Sequence, residues 1–249
     1  MLIHAGVSTP NSSLSFLVYH PLVSRIIAIG DIHGCCTALH ALLREIQPTF
    51  EDTIVGMGDY VDRGMQSDEV IETLVNLVSD CRFVPLIGNH EIMMFKALQN
   101  GNQDMEFWLS HGGNSTLASY GGRVQNIPQH HLSFLRHCVR FFESDQHFFV
   151  HANYDPSTPL SEQPDELLFW QHVNEFPPGL HANGKVAIVG HTPQQDGEIL
   201  DFGHLKVIDT YCYGDQYLTA LDVTTGTYWQ ATNSGKVKVG QLDEQEELY

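Results

Sequence analysis

No apolar run in the 249-residue chain approaches the roughly 18–20 residues that a membrane-spanning helix needs, so a spanning helix is not expected. The opening residues, 1–24, lack both a basic stretch and a small-residue cleavage site, and His20-Pro21 soon follows the short apolar stretch Leu14 to Tyr19. They read as a loose leader rather than an export signal. Basic side chains are scarce, 12 Lys and Arg against 30 Asp and Glu, for a formal charge of −18 and a pI near 5.0. So acidic a chain, with no basic patch, is poorly suited to nucleic acid or to an anionic membrane surface, and neither is expected as a partner. The five cysteines (35, 36, 81, 138 and 212) are odd in number, irregularly spaced and contain no CxxC pair. That excludes a disulfide framework and a structural zinc site built on thiolates, and it points to ordinary thiols in the cytoplasm.

What is present is a globular composition, 42% apolar, with an unusual 15 histidines. The carboxylate surplus becomes less costly if some of it holds metal cations. One domain is expected over 25–242, followed by an acidic, disordered tail over 243–249. The run Arg25 to Gly30 has strand length and β-branched content, and it stops at Gly-Asp. Leu39, Leu42, Leu43 and Ile46 then fall at helical spacing, closed by Pro48. A second strand, Thr53 to Gly58, is followed by a helix with Ser67 as its cap and Val70, Ile71, Leu74, Leu77 and Val78 on its apolar face. A third strand, Phe83 to Ile87, carries Pro85, which belongs at a sheet edge or a bulge. Residues 91–140 read as mostly helical, broken at Gly112-Gly113 and Gly121-Gly122, with Pro128 in the first turn of the helix through Leu132 and Leu135. Strand returns at 146–150, helix at 166–173, and strand again at 186–189, 205–208, 217–223 and 227–230. The β-α-β-α-β alternation indicates an α/β fold.

Five expected strands end in short polar clusters: Gly30-Asp31-Ile32-His33-Gly34, Gly58-Asp59-Tyr60-Val61-Asp62-Arg63-Gly64, Gly88-Asn89-His90-Glu91, Val150-His151-Ala152 and Gly190-His191-Thr192. Any one of them alone is an ordinary turn. Five in order, each at a strand end, fit a single site, because α/β sheets bind ligands beyond the carboxyl ends of their strands. Asp31, His33, Asp59, Asn89, His151 and His191 make a mixed oxygen and imidazole set, suited to Mn, Fe or Zn rather than to Ca or Mg alone. Six ligands exceed the needs of one catalytic metal with open positions, so two divalent ions are expected, sharing a bridging carboxylate.

The sequences Gly-Asp-Ile-His-Gly, Gly-Asp-Tyr-Val-Asp-Arg-Gly and Gly-Asn-His-Glu resemble those of the calcineurin-like metallophosphoesterases. With Asp62 and Arg63 both present, and with the Gly190-His-Thr ending, the chain is similar to the compact bacterial and phage-type members of the PPP serine/threonine protein phosphatases. The resemblance spans residues 25 to about 230. It implies a central β-sandwich flanked by helices, with the metals at one edge. It implies Asp31 and His33 on one metal, Asp59 between both, and Asn89, His151 and His191 on the other, with Mn favoured and Fe or Zn as alternatives. It also implies that Arg63 holds the phosphate and that His90, oriented by Asp62, is a general acid. Hydroxide shared by the metals would then attack phosphorus in line, with no phosphoenzyme.

One departure stands out. Members of that family usually add a second arginine between the last two metal histidines, whereas residues 152–190 contain no arginine. Gln171 and His172 stand after Phe169-Trp170, and His172 reads there as a helix-surface residue. Arg123, Arg136 and Arg140 are the other arginines that could reach in. The loop Asp209 to Asp215 offers Tyr211 and Tyr213 as substrate-binding candidates by the same resemblance. Trp108, Trp170 and Trp229 read equally as core or as groove lining. The expected function is a metal-dependent phosphomonoesterase acting on phosphoproteins or small phosphoesters. The first rival is a diadenosine-polyphosphate hydrolase, a group that commonly lacks the acidic residue found here at Asp62. A second is a non-catalytic phosphoprotein-binding module on the same fold.

Overall fold

A computed structural model describes residues 24–242. The leader expected over 1–24, except Ser24, and the tail expected over 243–249 lie outside the described residues. In chain order the elements are β1 (Ile26–Ile29), α1 (Cys36–Ile46), β2 (Thr53–Gly56), α2 (Ser67–Leu77), β3 (Arg82–Pro85), α3 (Asn89–Asn100), α4 (Asn102–Trp108), α5 (Asn114–Ser119) and α6 (Gln129–Arg136). They continue with β4 (Phe141–Glu143), β5 (His147–Val150), α7 (Asp165–Trp170), β6 (Val186–Val189), β7 (Leu200–Asp201), β8 (Leu205–Val207), β9 (Leu218–Asp222), β10 (Thr227–Ala231) and β11 (Val237–Gln241).

Among the described residues these strands form two mixed sheets, ordered β11-β10-β9-β1-β2-β3 and β4-β5-β6-β8-β7. Strands β1, β2 and β3 run parallel, as do β5, β6 and β8. The central strands are apolar on both faces, and alternation sorts the two sets. Ala28, Val55, Leu221, Phe149 and Ile188 meet between the sheets. Ile27, Ile29 and Ile54 point the other way, under Leu39, Leu42, Ile71 and Leu74 of α1 and α2. Phe148, Val150, Ala187 and Val189 face Leu168 and Phe169 of α7. Each fully buried leucine or isoleucine in these layers contributes about 1.5–3 kcal/mol. The result is the expected α/β class, a β-sandwich with helical cover.

Several local expectations are corrected. Ser67 is the first helical residue of α2 rather than its cap, and its hydroxyl accepts from the Asp62 N–H (3.3 Å). Pro128, with its ring-fixed φ of −63°, precedes α6 instead of entering its first turn. The helical stretch also breaks at Gly101 (φ 88°), and at Gly112 (φ 108°) the chain kinks in a conformation that glycine alone adopts freely. Pro85 ends β3, an edge strand as its missing N–H requires. Helix α7 stops at Trp170, two residues before His172, so His172 is not on a helix surface.

The topology decides where the site lies. The parallel strands of both sheets deliver their carboxyl ends to one edge of the sandwich. Asp31 follows β1, Asp59 follows β2, Asn89 follows β3, His151 follows β5, His191 follows β6 and Asp209 follows β8.

Candidate metal centre

Asp59 sits at the middle of this edge. Its Oδ2 lies 3.5 Å from His33 Nε2 and 4.0 Å from His90 Nε2, while its Oδ1 lies 3.5 Å from His151 Nε2. Two groups of ligand atoms result, His33–Asp59–His90 and Asp59–His151–His191, each with its atoms within 4.8 Å of one another. Asp59 belongs to both. Asp31 belongs to neither group; its two oxygens accept from the His191 N–H at 3.2 and 3.0 Å.

The ring orientations are settled by carbonyl partners. His33 donates from Nδ1 to Val61 (2.9 Å), His151 from Nδ1 to Met57 (2.8 Å) and His191 from Nε2 to Trp170 (3.0 Å). The remaining nitrogens, Nε2, Nε2 and Nδ1, therefore present lone pairs to the centre. The Asn89 amide oxygen lies 3.1 Å from His151 Nε2 and 3.2 Å from His191 Nδ1. Turned over, the amide would donate N–H to those nitrogens and to Asp59. With the oxygen inward, only lone pairs meet, and a cation is what satisfies them. The donor set thus fits divalent metals of the imidazole-accepting kind.

The electrostatics agree. Burial, with Asp209 and Glu91 as nearby like charges, pushes the Asp31 and Asp59 carboxyls well above the usual carboxylate range. Burial likewise lowers His33 and His191, and brings His151 down to about 3, so the rings stay neutral and able to ligate. The backbone is forced here too. His33, Asp59, Asp62, Arg63 and His191 all have φ between 44° and 73°, a region that costs a non-glycine residue on the order of 1 kcal/mol or more. Carboxylates pack so tightly against Gly88 and Gly190 that a Cβ there would lie 2.1 Å from Asp59 Oδ1 and 2.0 Å from Asp31 Oδ1.

Beside this centre, His90 Nδ1 lies 2.7 Å from Asp62 Oδ2, which leaves Nε2 pointing toward Asp59. The Asp62 carboxylate is fully buried and accepts from Trp108 Nε1 (3.0 and 2.9 Å) and from Thr116 Oγ1 (2.7 Å). Burial pushes this carboxyl up to about 7, opposed by the Thr116 and Trp108 donors. Burial brings the His90 imidazole down to about 3. Trp108 is therefore core, and one of its atoms serves the site.

His90 opens on a cavity of about 300 Å³ whose lining includes Arg63, Trp170, His172, Asp209 and Tyr213. Arg63 donates from Nη1 to the Tyr213 hydroxyl (3.0 Å), and its guanidinium carbon stands 4.5 Å from that ring's centre. Tyr213 also meets His33 edge to face, with ring centroids 4.8 Å apart. Tyr211 packs on Tyr213 one layer back, outside the cavity lining. No second arginine lines the cavity among the described residues. Arg140 pairs with Asp165 and lies over Phe169, and Arg136 lies over Phe95. From the stretch 152–190 the cavity is lined by Trp170 and His172, and the His172 ring lies 4.6 Å from that of His191.

Three contributors escaped the sequence reading. Asp209 follows its strand, β8, with no glycine to mark the turn. Glu91 was visible inside Gly-Asn-His-Glu, but its task was not. Its carboxylate accepts the N–H groups of Asp59 (2.9 Å), Tyr60 (2.8 Å), Val61 (3.2 Å) and Gly88 (3.0 Å), pinning two of the site loops together. The Trp108–Thr116 support of Asp62 left no local signal at all.

The family model for calcineurin-like phosphoesterases matches residues 24–217. The chain belongs to that family. As a calcineurin-like phosphoesterase it is a hydrolase, of a family that binds divalent metals, and the two side-chain groups above could hold them. It is 26% identical over 216 residues to serine/threonine-protein phosphatase 2 of Salmonella typhimurium, covering 83% of this chain and 89% of that one. It is also 26% identical over 228 residues to the asymmetrical bis(5'-nucleosyl)-tetraphosphatase PrpE of Oceanobacillus iheyensis, covering 79% and 87%. Its fold resembles that of the cold-active protein-tyrosine phosphatase of a psychrophilic Shewanella, with a TM-score of 0.63 at 15% identity over 88% of this chain and 81% of that one.

Proposed function

We propose that this calcineurin-like phosphoesterase is a phosphomonoesterase that acts on phosphoserine or phosphothreonine in proteins. The observation that carries the reading is the buried pair of His90 and Asp62 at 2.7 Å, with Nε2 of His90 facing the centre. A serine or threonine alkoxide is a strongly basic leaving group and needs a proton. An imidazole backed by a carboxylate can give one. Phosphate leaving groups, as in a dinucleoside polyphosphate, need it far less.

In this reading His33 and Asp31 would hold one divalent ion, Asn89, His151 and His191 another, and Asp59 both. Such ions, with manganese favoured and iron or zinc as alternatives, would supply Lewis-acid activation of the phosphoryl group and of water. Arg63 would grip the phosphoryl oxygens with its planar fork, and Tyr213 holds that fork in place. Tyr211 steadies Tyr213 from behind. The Trp108 and Thr116 donors favour the ionised form of Asp62 against its burial, and an ionised Asp62 would stabilise a protonated His90 where it meets the leaving oxygen. In this reading water attacks phosphorus directly, with no phosphoenzyme. A groove of about 520 Å³ shares Met93, Phe107 and Trp170 with the cavity and adds Lys96. It has room for the group that carries the phosphate. The free cysteines suit a cytoplasmic setting, and the domain is taken as 25–242.

A second reading is a dinucleoside-tetraphosphate hydrolase, favoured by the similarity to PrpE. Turnover of phosphoserine peptides beside diadenosine tetraphosphate, with Mn²⁺ present, separates the two. The peptide should be the better substrate by kcat/KM. A preference for the dinucleotide would reverse the assignment, and turnover of neither would favour the binding module.

A further inference from the structure

On the outer surface of the helical layer, two further imidazoles meet one carboxylate. Nε2 of His130 lies 3.0 Å and Nε2 of His131 2.9 Å from the same atom, Oε2 of Glu72. The three ligand atoms lie within 4.8 Å of one another. Glu72 belongs to α2 and the histidines to the first turn of α6, 58 and 59 residues further along. Adjacent helical residues diverge by about 100°, yet both rings turn onto one oxygen, with their centroids 4.4 Å apart. Asn76 Nδ2 holds the other Glu72 oxygen at 3.1 Å. On the far side of His131, Nδ1 lies 2.8 Å from the Tyr120 hydroxyl.

We propose that Glu72, His130 and His131 form a further metal site, for zinc or a similar borderline divalent ion, that clasps α2 to α6. Zinc bonds of about 2.0–2.1 Å put tetrahedral donors about 3.3 Å apart, close to the two His–Glu distances of 3.0 and 2.9 Å. The Tyr120 hydroxyl can accept the Nδ1 proton of His131, which leaves the Nε2 lone pair aimed at the gap, the usual support of a metal-bound imidazole. Two histidines and a carboxylate with an open position match the ligand set of zinc. Beside Glu72 and His131 lies a cleft of about 440 Å³, lined also by Tyr120 and His40, among others. An ion here would brace the scaffold rather than touch substrate. Protons can fill the same gap, with both rings donating to Glu72, and the experiment distinguishes the two.

Manganese-loaded protein would be dialysed against Zn²⁺ near neutral pH and its metals counted, beside His130→Ala and Glu72→Gln. Both variants alter half-exposed side chains, 56% and 52% accessible, so folding should survive. The parent chain should bind one more zinc than either variant, zinc that replaces manganese at the centre being common to all three. Its melting midpoint should rise by roughly 5–10 °C at a hundredfold excess over Kd. Neither variant should show that rise, and hydrolysis with Mn²⁺ should be the same in all three. Equal zinc content in the three chains, or an equal rise in midpoint, would overturn the proposal and leave the cluster a proton-bridged ion pair.

Discussion

Replacing His90 by asparagine removes the imidazole that faces the proposed leaving-group position but leaves Asp59, His151 and His191 untouched. The size of the effect follows from what the leaving group needs. A positioned general acid contributes about 10²–10⁴ in rate when the departing oxygen is strongly basic. A p-nitrophenolate departs readily without a proton. His90→Asn should therefore lower kcat on a phosphoserine peptide by about 10²–10⁴ and on p-nitrophenyl phosphate by far less. The same bias should appear, reduced, in variants one step removed. Trp108→Phe deletes one donor at 2.9–3.0 Å from Asp62 and keeps most of the ring volume. A hydrogen bond to a charged group is worth about 1.5–3 kcal/mol, so the ceiling of this effect is about ten- to a hundredfold on the peptide. Steady-state kinetics on both substrates, with metal content measured for each variant, is the assay. Equal losses on the two substrates at unchanged metal content would refute the assignment of His90 as the acid.

Two further outcomes follow from the contacts around the centre. Arg63→Ala should raise KM and lower kcat together, since no other arginine lines the cavity among the described residues, and Tyr213→Phe should do so more mildly; unchanged kinetics in Arg63→Ala would move the phosphate clamp elsewhere. Glu91→Gln confronts backbone N–H donors with an amide that can accept only at one end, at a cost of about 2–5 kcal/mol. Its melting midpoint should fall by roughly 5–15 °C, and a midpoint equal to that of the parent would show that the loops are held by other means.

The strand-end clusters were legible because the chain reads a parallel strand directly. An apolar run stops, a glycine turns, and the next polar residue faces the open edge. Asp31, Asp59, Asn89 and His191 follow this rule, and His151 follows β5 directly, without the glycine. Asp209 also follows its strand, β8, with no glycine to mark the turn, so it stands out less in the sequence. Strands β4, β7 and β11 were missed for a different reason. They are short or peripheral, and pairing with a neighbour, more than their own pattern, makes them strands. The support of Asp62 was beyond reach, because Trp108 and Thr116 lie 46 and 54 residues away and only the packing of α4 and α5 brings them in. His172 falls outside a helix because α7 ends at Trp170, whose carbonyl accepts from His191 Nε2, a contact 21 residues away in the chain.

The central claim is that the buried cluster around Asp59 holds divalent ions without which hydrolysis stops. Elemental analysis of the purified chain before and after exhaustive chelation, with turnover followed on the same samples, tests it most directly. Two ions per chain are expected at the centre, beyond any zinc bound at the outer helices. Activity should be lost with them and return on addition of Mn²⁺, and Asp59→Asn should weaken the binding of both ions together. Full turnover by protein shown to contain no metal would contradict the account.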